Sequence, residues 1–494
     1  MKFGVFNFDP SSGTLRRGSE AVTISHRGAA LLAALLARRG EIVGKEDLME
    51  AAWPGQAVEE SNLTVQIAAL RKVLGSTAEG VDWIATVPRV GYRFIGAITA
   101  PVSDAIGKPV IAVLPFDNVS TDPDQEFFAQ GLAEDLITDL SRVPGLMMIA
   151  RNSSFSMRDR RGDLRGIGAD LGAQFVIDGS VRRAADRVRI NVQLIEASDQ
   201  SQLWAERFDG DLSDVFTLQD QVVGRIVGAL ARVLSIGTAP RERRAHNVDA
   251  YDKFVHGRSI VLTSSHEGFL EGMQLLQEAA AIDPEFAEPH AWLAMGHIHS
   301  ALHWGADPSE RTPLAIASAE RAISLDPINS EAFAQLGYAL AFSDELERAQ
   351  SAFDKALAIS PSNADAMVLR AELEVILGDP GKALELVGAA LKLNPYPPTW
   401  YNWMLGFASY AAGDYEGTIK ALHKEAARRA PFGRILAAAY AQIGQMDKAH
   451  TTARTFLNTV PDFRISAWIA AQRLRSDEVA GRFIEGYRKA GLPD

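Results

Sequence analysis

The 494-residue sequence predicts a multidomain α+β chain in three unlike parts. These are an N-terminal domain of helices and a β-hairpin, a middle α/β layer domain and an all-α repeat solenoid. Three observations predict it. Between Glu59 and Leu74 the apolar residues Leu63, Ile67, Leu70 and Leu74 recur at helical period, and two β-rich runs follow. From Val110 strands and helices alternate, and three strands then run in succession. Beyond Val248 the prolines Pro327, Pro361 and Pro395 fall 34 residues apart, the period of a helical-hairpin repeat.

In the first part, Ile24-Ser25-His26 leads into a helix over Arg27 to Arg38 with Leu31, Leu32, Leu35 and Leu36 on its apolar face. Ser25 is placed to cap it and Gly40 to stop it. Lys45 to Ala52 reads as a second helix, ended by Trp53-Pro54-Gly55. The third helix, Glu59 to Leu74, carries Ser61, Val65, Ala68 and Lys72 opposite its apolar stripe, with Asn62 and Ala69 beside them and Arg71 on the other flank. A helix that only covers a core shows water long charged side chains. These small residues let a backbone come close to another surface. Trp83 to Val87 and Pro88 to Phe94 then read as a hairpin with Arg89 near its tip. A helix followed by a basic hairpin is the winged helix-turn-helix arrangement, with the helix for the major groove and the wing for backbone or minor groove.

The segments LRKVLG and IATVPRVGYRF resemble the OmpR/PhoB-type winged-helix DNA-binding domain, in its ToxR/CadC/HilA-like branch. The resemblance covers roughly the first hundred residues and implies that GVFNFDPSSGTLRRGSEAVTIS forms a β-meander. It implies a regulator that binds double-stranded DNA, with Ser61, Asn62, Val65, Ala68, Ala69 and Lys72 on the DNA face. Thr64, Arg71 and Arg89 then serve phosphates or the groove rim. Many such domains carry arginine near the positions of Ala68 and Ala69, so shape readout takes a larger share here. In the family the loop corresponding to Trp53 to Val58 can touch RNA polymerase or a neighbouring protomer. Residues 1–100 hold eleven basic and ten acidic residues, a net charge of +1. Phosphate attraction alone then gives modest, steeply salt-dependent affinity, and tight binding calls for a homo-oligomer with two heads on repeated half-sites.

Residues 101–108 read as a linker, and 109–235 as the α/β domain. VIAVLPFDNVS, GADLGAQFVIDGSVRR and VRINVQLIEASDQSQLWAERFDG resemble the TolB N-terminal-like domain. In bacteria that domain often sits between an output domain and a helical-repeat tail, including in some adenylate cyclases, and it carries no known chemistry. Gly166-x-Gly168-x-x-x-Gly172 departs from GxGxxG and precedes a strand instead of following one, so it is no phosphate loop. Glu134, Asp135 and Asp139 are expected on a solvated helix face, and Asp178-Gly179-Ser180 in a turn at a strand end. Arg151, Arg158, Arg160, Arg161 and Arg165 form a basic patch suited to a loop surface or an anion.

After a second linker, 236–247, about six helical hairpins are expected over 248–464, and a capping helix over 465–494. Phe333, Leu336, Gly337, Ala349, Phe353, Ala356 and Pro361 match the tetratricopeptide signature, which implies a concave face for a protein or peptide partner. His290, His297, His299 and His303 cluster beside Trp292 and Trp304. His299 and His303 have a metal-compatible spacing, but no carboxylate stands at a fitting distance, so groove-lining or surface histidines are preferred. Tyr396, Trp400, Tyr401 and Trp403 read as packing.

Apolar content is 47% and no run reaches the ~18–20 residues of a membrane span. The chain has no cysteine, which removes disulfides and thiolate metal sites. Asp9 and Arg16 interrupt any secretory signal, no receiver domain is expected ahead of the DNA-binding domain, and a cytoplasmic location is expected. No catalytic constellation, cofactor or metal is expected. The resulting expectation is a bacterial DNA-binding transcriptional regulator; the alternative is a repeat scaffold whose winged helix mainly contacts protein.

Overall fold

The computed structural model describes residues 2–3, 6–9, 14–17, 20–22, 24–37, 43–53, 58, 60–75, 83–87, 91–94, 108–231, 247–261, 265–423 and 432–494. The chain forms two compact units, Met1–Gly107 and Lys108–Asp494.

Among the described residues the first unit opens with four short antiparallel strands in chain order, β1 (Lys2–Phe3), β2 (Phe6–Asp9), β3 (Thr14–Arg17) and β4 (Glu20–Val22). Phe8 and Leu15 face each other across β2 and β3 and are fully buried. Helix α1 (His26–Ala37) starts where the Ser25 hydroxyl accepts from Gly28 N at 2.9 Å, an N-cap. Its leucines 31, 32, 35 and 36 are buried. The expected stop, Gly40, lies outside the described residues. There follow β5 (Val43–Gly44), α2 (Lys45–Ala52), α3 (Glu60–Leu74), β6 (Ile84–Val87) and β7 (Gly91–Phe94). The three strands form a second sheet in the order β5-β7-β6. A Cβ on Gly91 would stand 2.0 Å from the Val43 carbonyl oxygen, so only glycine lets β7 close on β5.

The second unit begins with β8 (Val110–Val113), β9 (Asp117–Asn118), α4 (Glu126–Ser141), β10 (Met147–Met148), α5 (Arg151–Phe155) and α6 (Leu164–Leu171). Then come β11 (Phe175–Ala184), β12 (Arg187–Glu196), β13 (Gln202–Asp211) and α7 (Val215–Ala231). The sheet order is β10-β8-β11-β12-β13, with β9 also on β11. β8 runs parallel to β10 and β11, whereas β11, β12 and β13 form an antiparallel meander. Strand alternation splits β8 between two cores. Ile111 and Val113 face α4 and α7, and Ala112 and Leu114 face Ile167 and Leu171 of α6. Asp163 caps α6, accepting from Gly166 N at 2.9 Å, and Gly172 ends it with φ 66°. Asp178-Gly179-Ser180 is not a turn at a strand end. It lies inside β11, paired with Gln193, Val192 and Asn191, because β11 continues to Ala184.

Among the described residues six helical hairpins follow: α8 (Val248–Ile260) with α9 (His266–Ile282), α10 (Ala287–Trp304) with α11 (Pro308–Leu325), α12 (Ser330–Phe342) with α13 (Leu346–Ile359), α14 (Ala364–Leu377) with α15 (Pro380–Leu393), α16 (Thr399–Ala412) with α17 (Tyr415–Leu422), and α18 (Gly433–Gln442) with α19 (Met446–Thr459). Helices α20 (Ile465–Gln472) and α21 (Asp477–Lys489) complete the chain.

The sheet and the repeats share one core. Tyr251 and Phe254 of α8 pack with Phe128 of α4, Phe216 of α7 and Phe286. A Cβ on Gly131 of α4 would meet Val255 at 2.5 Å, so glycine sets this close approach. The expected solvated face of α4 is therefore buried: Glu134, Asp135 and Asp139 are 8%, 5% and 4% exposed. Arg258 of α8 meets Glu134 at 2.7 Å and Asp135 at 3.1 Å, and Asp135 also accepts from Tyr251 Oη at 2.5 Å and Gln219 Nε2 at 3.2 Å. The Arg258 guanidinium and hydrogen-bond donors from α7 and α8 replace water around Glu134 and Asp135.

The turns that close successive repeats meet the other end of α4 and the segment after β10. Asp326 pairs with Arg142 at 3.3 Å, Ser360 donates to Ser141 Oγ at 3.0 Å, and Asn394 Oδ1 accepts from Ser153 Oγ at 2.6 Å. Asp326, Ser360 and Asn394 are themselves 34 residues apart, so the repeat period becomes a row of anchor points. The C-terminal segment crosses the opposite ends of the same helices. Arg473 donates to Phe342 O at 3.0 Å and Arg475 N to Ile376 O at 2.8 Å, and Arg482 donates to Ala411 O. α21 then packs on α16 and α18, burying Phe483 and Tyr487 completely.

Candidate nucleic-acid interface

Helix α3 has two unlike faces. Leu63, Ile67, Leu70 and Leu74 are at most 2% exposed and meet Leu31, Leu35 and Ile84 in the core of the first unit. Ser61, Asn62, Thr64, Val65, Ala68, Ala69 and Lys72 are all exposed, and Val65 reaches 64%. The stripe of period 3.6 thus fixes which side of α3 meets the core and leaves its small residues outward. Glu60 stands in the first turn and Arg71 and Lys72 in the last, which suits the helix dipole at both ends.

Contacts with its neighbours hold α3 in place. Lys45 Nζ, at the start of α2, meets Glu60 Oε2 at 2.5 Å, and this hydrogen bond holds the Lys45 ammonium above its ordinary pKa. Ser25 Oγ donates to Gln66 Oε1 at 2.8 Å, tying α3 to the start of α1. Neither link is legible in the sequence, because each joins residues of unrelated period across the fold. Thr64 Oγ1 turns back to its own helix, donating to Glu60 O at 3.1 Å.

Arg71, expected at phosphates, spends hydrogen bonds inside the unit. Its Nε and Nη2 donate to Ile84 O at 2.9 and 2.6 Å, and Nη2 also donates to Thr86 Oγ1 at 2.8 Å. The guanidinium lies 6.0 Å from the Tyr92 ring centre. Arg71 therefore joins the last turn of α3 to both wing strands. The turn between those strands, with Arg89, lies outside the described residues, as do residues 54–57 of the loop before α3.

Other candidate sites resolve into structure. Arg158 pairs with Glu126, Arg160 with Asp163 and Asp170, Arg161 with Asp117 and Asp178, and Arg151 with Glu134, so carboxylates offset most of the basic patch. Burial, then Arg321 and Arg311 respectively, hold His290 and His297 below the ordinary histidine pKa. His299 lies against the Phe269 ring at 6.0 Å, and the side chain of His303 lies outside the description. Among the described residues no group of three or more histidines or carboxylates is placed to hold a metal ion. Tyr401 is fully buried with its hydroxyl 2.5 Å from Asp365, and Trp403 stacks on Phe432 at 5.1 Å, so both are packing residues. No helix among the described residues is long and apolar enough to cross a membrane.

Three family descriptions match the chain. "Transcriptional regulatory protein, C terminal" covers residues 18–94, "HilA/YgeH-like transcriptional regulator, second domain" covers 107–225, and "Tetratricopeptide repeat" covers 330–363. Among curated relatives, the chain is 42% identical over 249 residues to a protein of Rhizobium meliloti (strain 1021) named putative adenylate cyclase 3, a match covering 50% of this chain and 42% of that one. It is 24% identical over 404 residues to the transcriptional regulator HilA of Salmonella typhimurium, covering 79% of this chain and 69% of HilA. It is 34% identical over 95 residues to the cholera toxin homolog transcriptional activator of Vibrio parahaemolyticus, covering 18% of this chain and 32% of the activator. The chain thus spans less than half the length of the cyclase-named relative and about two thirds of HilA. Regions similar to the C-terminal domain of transcriptional regulatory proteins, to the second domain of HilA/YgeH-like transcriptional regulators and to a tetratricopeptide repeat thus follow one another in this chain, and its similarity to HilA runs over 404 residues.

Proposed function

We propose that the protein regulates transcription by placing the outward face of α3 in the major groove of promoter DNA. The observation that carries this reading is that face: seven exposed residues on a helix whose opposite side is fully committed to the core. Val65, Ala68 and Ala69 suit thymine methyl groups, Ser61 and Asn62 suit base edges or phosphate, and Thr64 and Lys72 suit the backbone. Arg71 acts one step back, holding the wing strands against α3, and Arg89 at the wing tip takes a phosphate or the minor groove. We assign domain limits of 1–100 for the DNA-binding part and 109–235 for the α/β part, followed by repeats to 464 and a closing segment to 494. The partners are double-stranded DNA, a second copy of the chain, and a protein on the repeats. α21 packs on α16 and α18, so we assign the partner surface of the repeats to α10, α12 and α14. RNA polymerase is a further partner for the loop before α3, and the location is the cytoplasm.

The test is binding of the full chain to promoter fragments at two salt concentrations. Sequence-selective binding that weakens steeply with salt is expected. Absence of binding at low salt sinks the reading and leaves the repeat scaffold.

A further inference from the structure

The sheet of the second unit ends in two unequal edges. β10 contributes only Met147–Met148, and just beyond it Ala150 N already donates to Leu393 O at 2.8 Å. β13, at the other edge, is ten residues long, and among the described residues no strand lies beside it. Hydrogen-bond parity shows which of its groups remain. Leu212 N donates to Asp186 O at 2.7 Å, and this pair continues the register Arg187 opposite Asp211. Trp204, Glu206, Phe208 and Gly210 therefore turn their backbone groups to β12, whereas Ala205, Arg207, Asp209 and Asp211 turn theirs outward. Such a row is a template for another strand, and proteins usually blunt it with charged side chains, lysine above all, with proline or with a bulge. β13 contains neither proline nor lysine, its charged residues Glu206, Arg207, Asp209 and Asp211 are of both signs, and the register shift, at Leu194/Ile195, lies opposite its first residues. An open groove of about 470 Å³ runs beside it, lined by residues that include Phe208, Leu218 and Gly224.

We propose that β13 is the seam of a homodimer, in which the β13 strands of two copies pair antiparallel about a two-fold axis at Phe208. Pairing identical strands about an axis normal to the sheet sets each residue opposite one of the same parity, so few registers exist. An axis at Arg207 brings arginine onto arginine, and one at Glu206 brings glutamate onto glutamate. An axis at Phe208 sets Arg207 opposite the partner's Asp209, twice by symmetry, and Ala205 opposite the partner's Asp211. All four residues carry outward backbone groups, so the seam forms about eight hydrogen bonds, two for each of four facing pairs. Arg207 and Asp209 already pair at 3.1 Å within one chain, at 61% and 34% side-chain exposure, so both charges stand at the edge where the partner arrives. This self-complementary charge pattern selects a second copy over an unrelated strand. The two joined sheets also bring two N-terminal units into one complex, a consequence for DNA that rests on the function proposed above.

The test uses the full chain without DNA. Sedimentation equilibrium is expected to show a dimer. Ala205→Pro removes an outward N–H and leaves the bonds to β12 intact, and Arg207→Asp sets a carboxylate opposite the partner's Asp209. Each is expected to weaken dimerisation about tenfold or more with unchanged circular dichroism. The chain has no cysteine, so single cysteines read the register directly. A short thiol crosslinker joins an Ala205→Cys chain to an Asp211→Cys chain. It does not join two Ala205→Cys chains, whose labels sit about 20 Å apart. A monomer at every concentration, a dimer indifferent to both variants, or self-crosslinking of Ala205→Cys overturns the proposal. DNA is absent throughout, so this failure is distinguishable from failure of the DNA-binding reading.

Discussion

Helices α3 and α4 look alike in sequence: each has an apolar stripe and an opposite face expected to meet solvent or a partner. In the structure their fates differ. The outer face of α3 stays open, whereas Glu134 and Asp135 of α4 are nearly sealed beneath α8. The charges on each face explain the difference. A carboxylate leaves water only where donors replace it, and here Arg258, 123 residues after Asp135, supplies them. The small residues of α3 need no such replacement, and none of the described neighbours covers them.

The largest effect tests the sealed face. Arg258→Met leaves Glu134 and Asp135 buried without that cation, and is expected to cost about 3–5 kcal/mol in urea unfolding. A loss near zero would mean water reaches the pair and the face is not sealed. The same logic reverses on α3. Val65→Asp changes a side chain that is 64% exposed, so unfolding should shift by no more than about 0.5 kcal/mol. Affinity for promoter DNA, read by fluorescence anisotropy, should nevertheless fall about tenfold or more, because a carboxylate then faces phosphates. Unchanged affinity would remove α3 from the interface.

Much of the fold was legible because it is local. Leu63, Ile67, Leu70 and Leu74 declare one helical face, and all four are buried. Pro327, Pro361 and Pro395 declare the repeat. What escaped depends on pairings over long sequence separations. Asp326, Ser360 and Asn394 look like ordinary repeat ends, yet they anchor the array to the α/β part through Arg142, Ser141 and Ser153. Phe483 and Tyr487 look like the apolar side of a terminal cap, yet they are fully buried against α16 and α18. Within the candidate site, the exposed small residues of α3 were readable from their period. The inward turn of Arg71 was not, because Ile84 O becomes its acceptor only once the wing has folded. Arg71→Ala is expected to cost about 1 kcal/mol of stability, and Arg71→Lys nearly as much, since a lysine cannot reproduce the forked contact. A full rescue by lysine would show that charge alone matters there.

Glu331 and Glu372 lie between the two extremes, half-buried on α12 and α14, and among the described residues no cation forms an ion pair with either. Burial, and for Glu331 the nearby Asp365, push each carboxyl from 4.5 up to about 7. The folded chain therefore holds these protons more tightly than the unfolded chain. Their contribution is fully favourable below about pH 4.5 and is lost as pH rises through about 7. Glu331→Gln keeps an oxygen for Gln335, which now donates at 2.7 Å, and removes the ionisation. The variant is expected to melt higher than the parent chain at pH 8 and to converge with it at pH 4. A shift in the opposite direction at pH 8 would mean that the ionised carboxylate is welcomed, and that a cation reaches this stretch of the repeats after all.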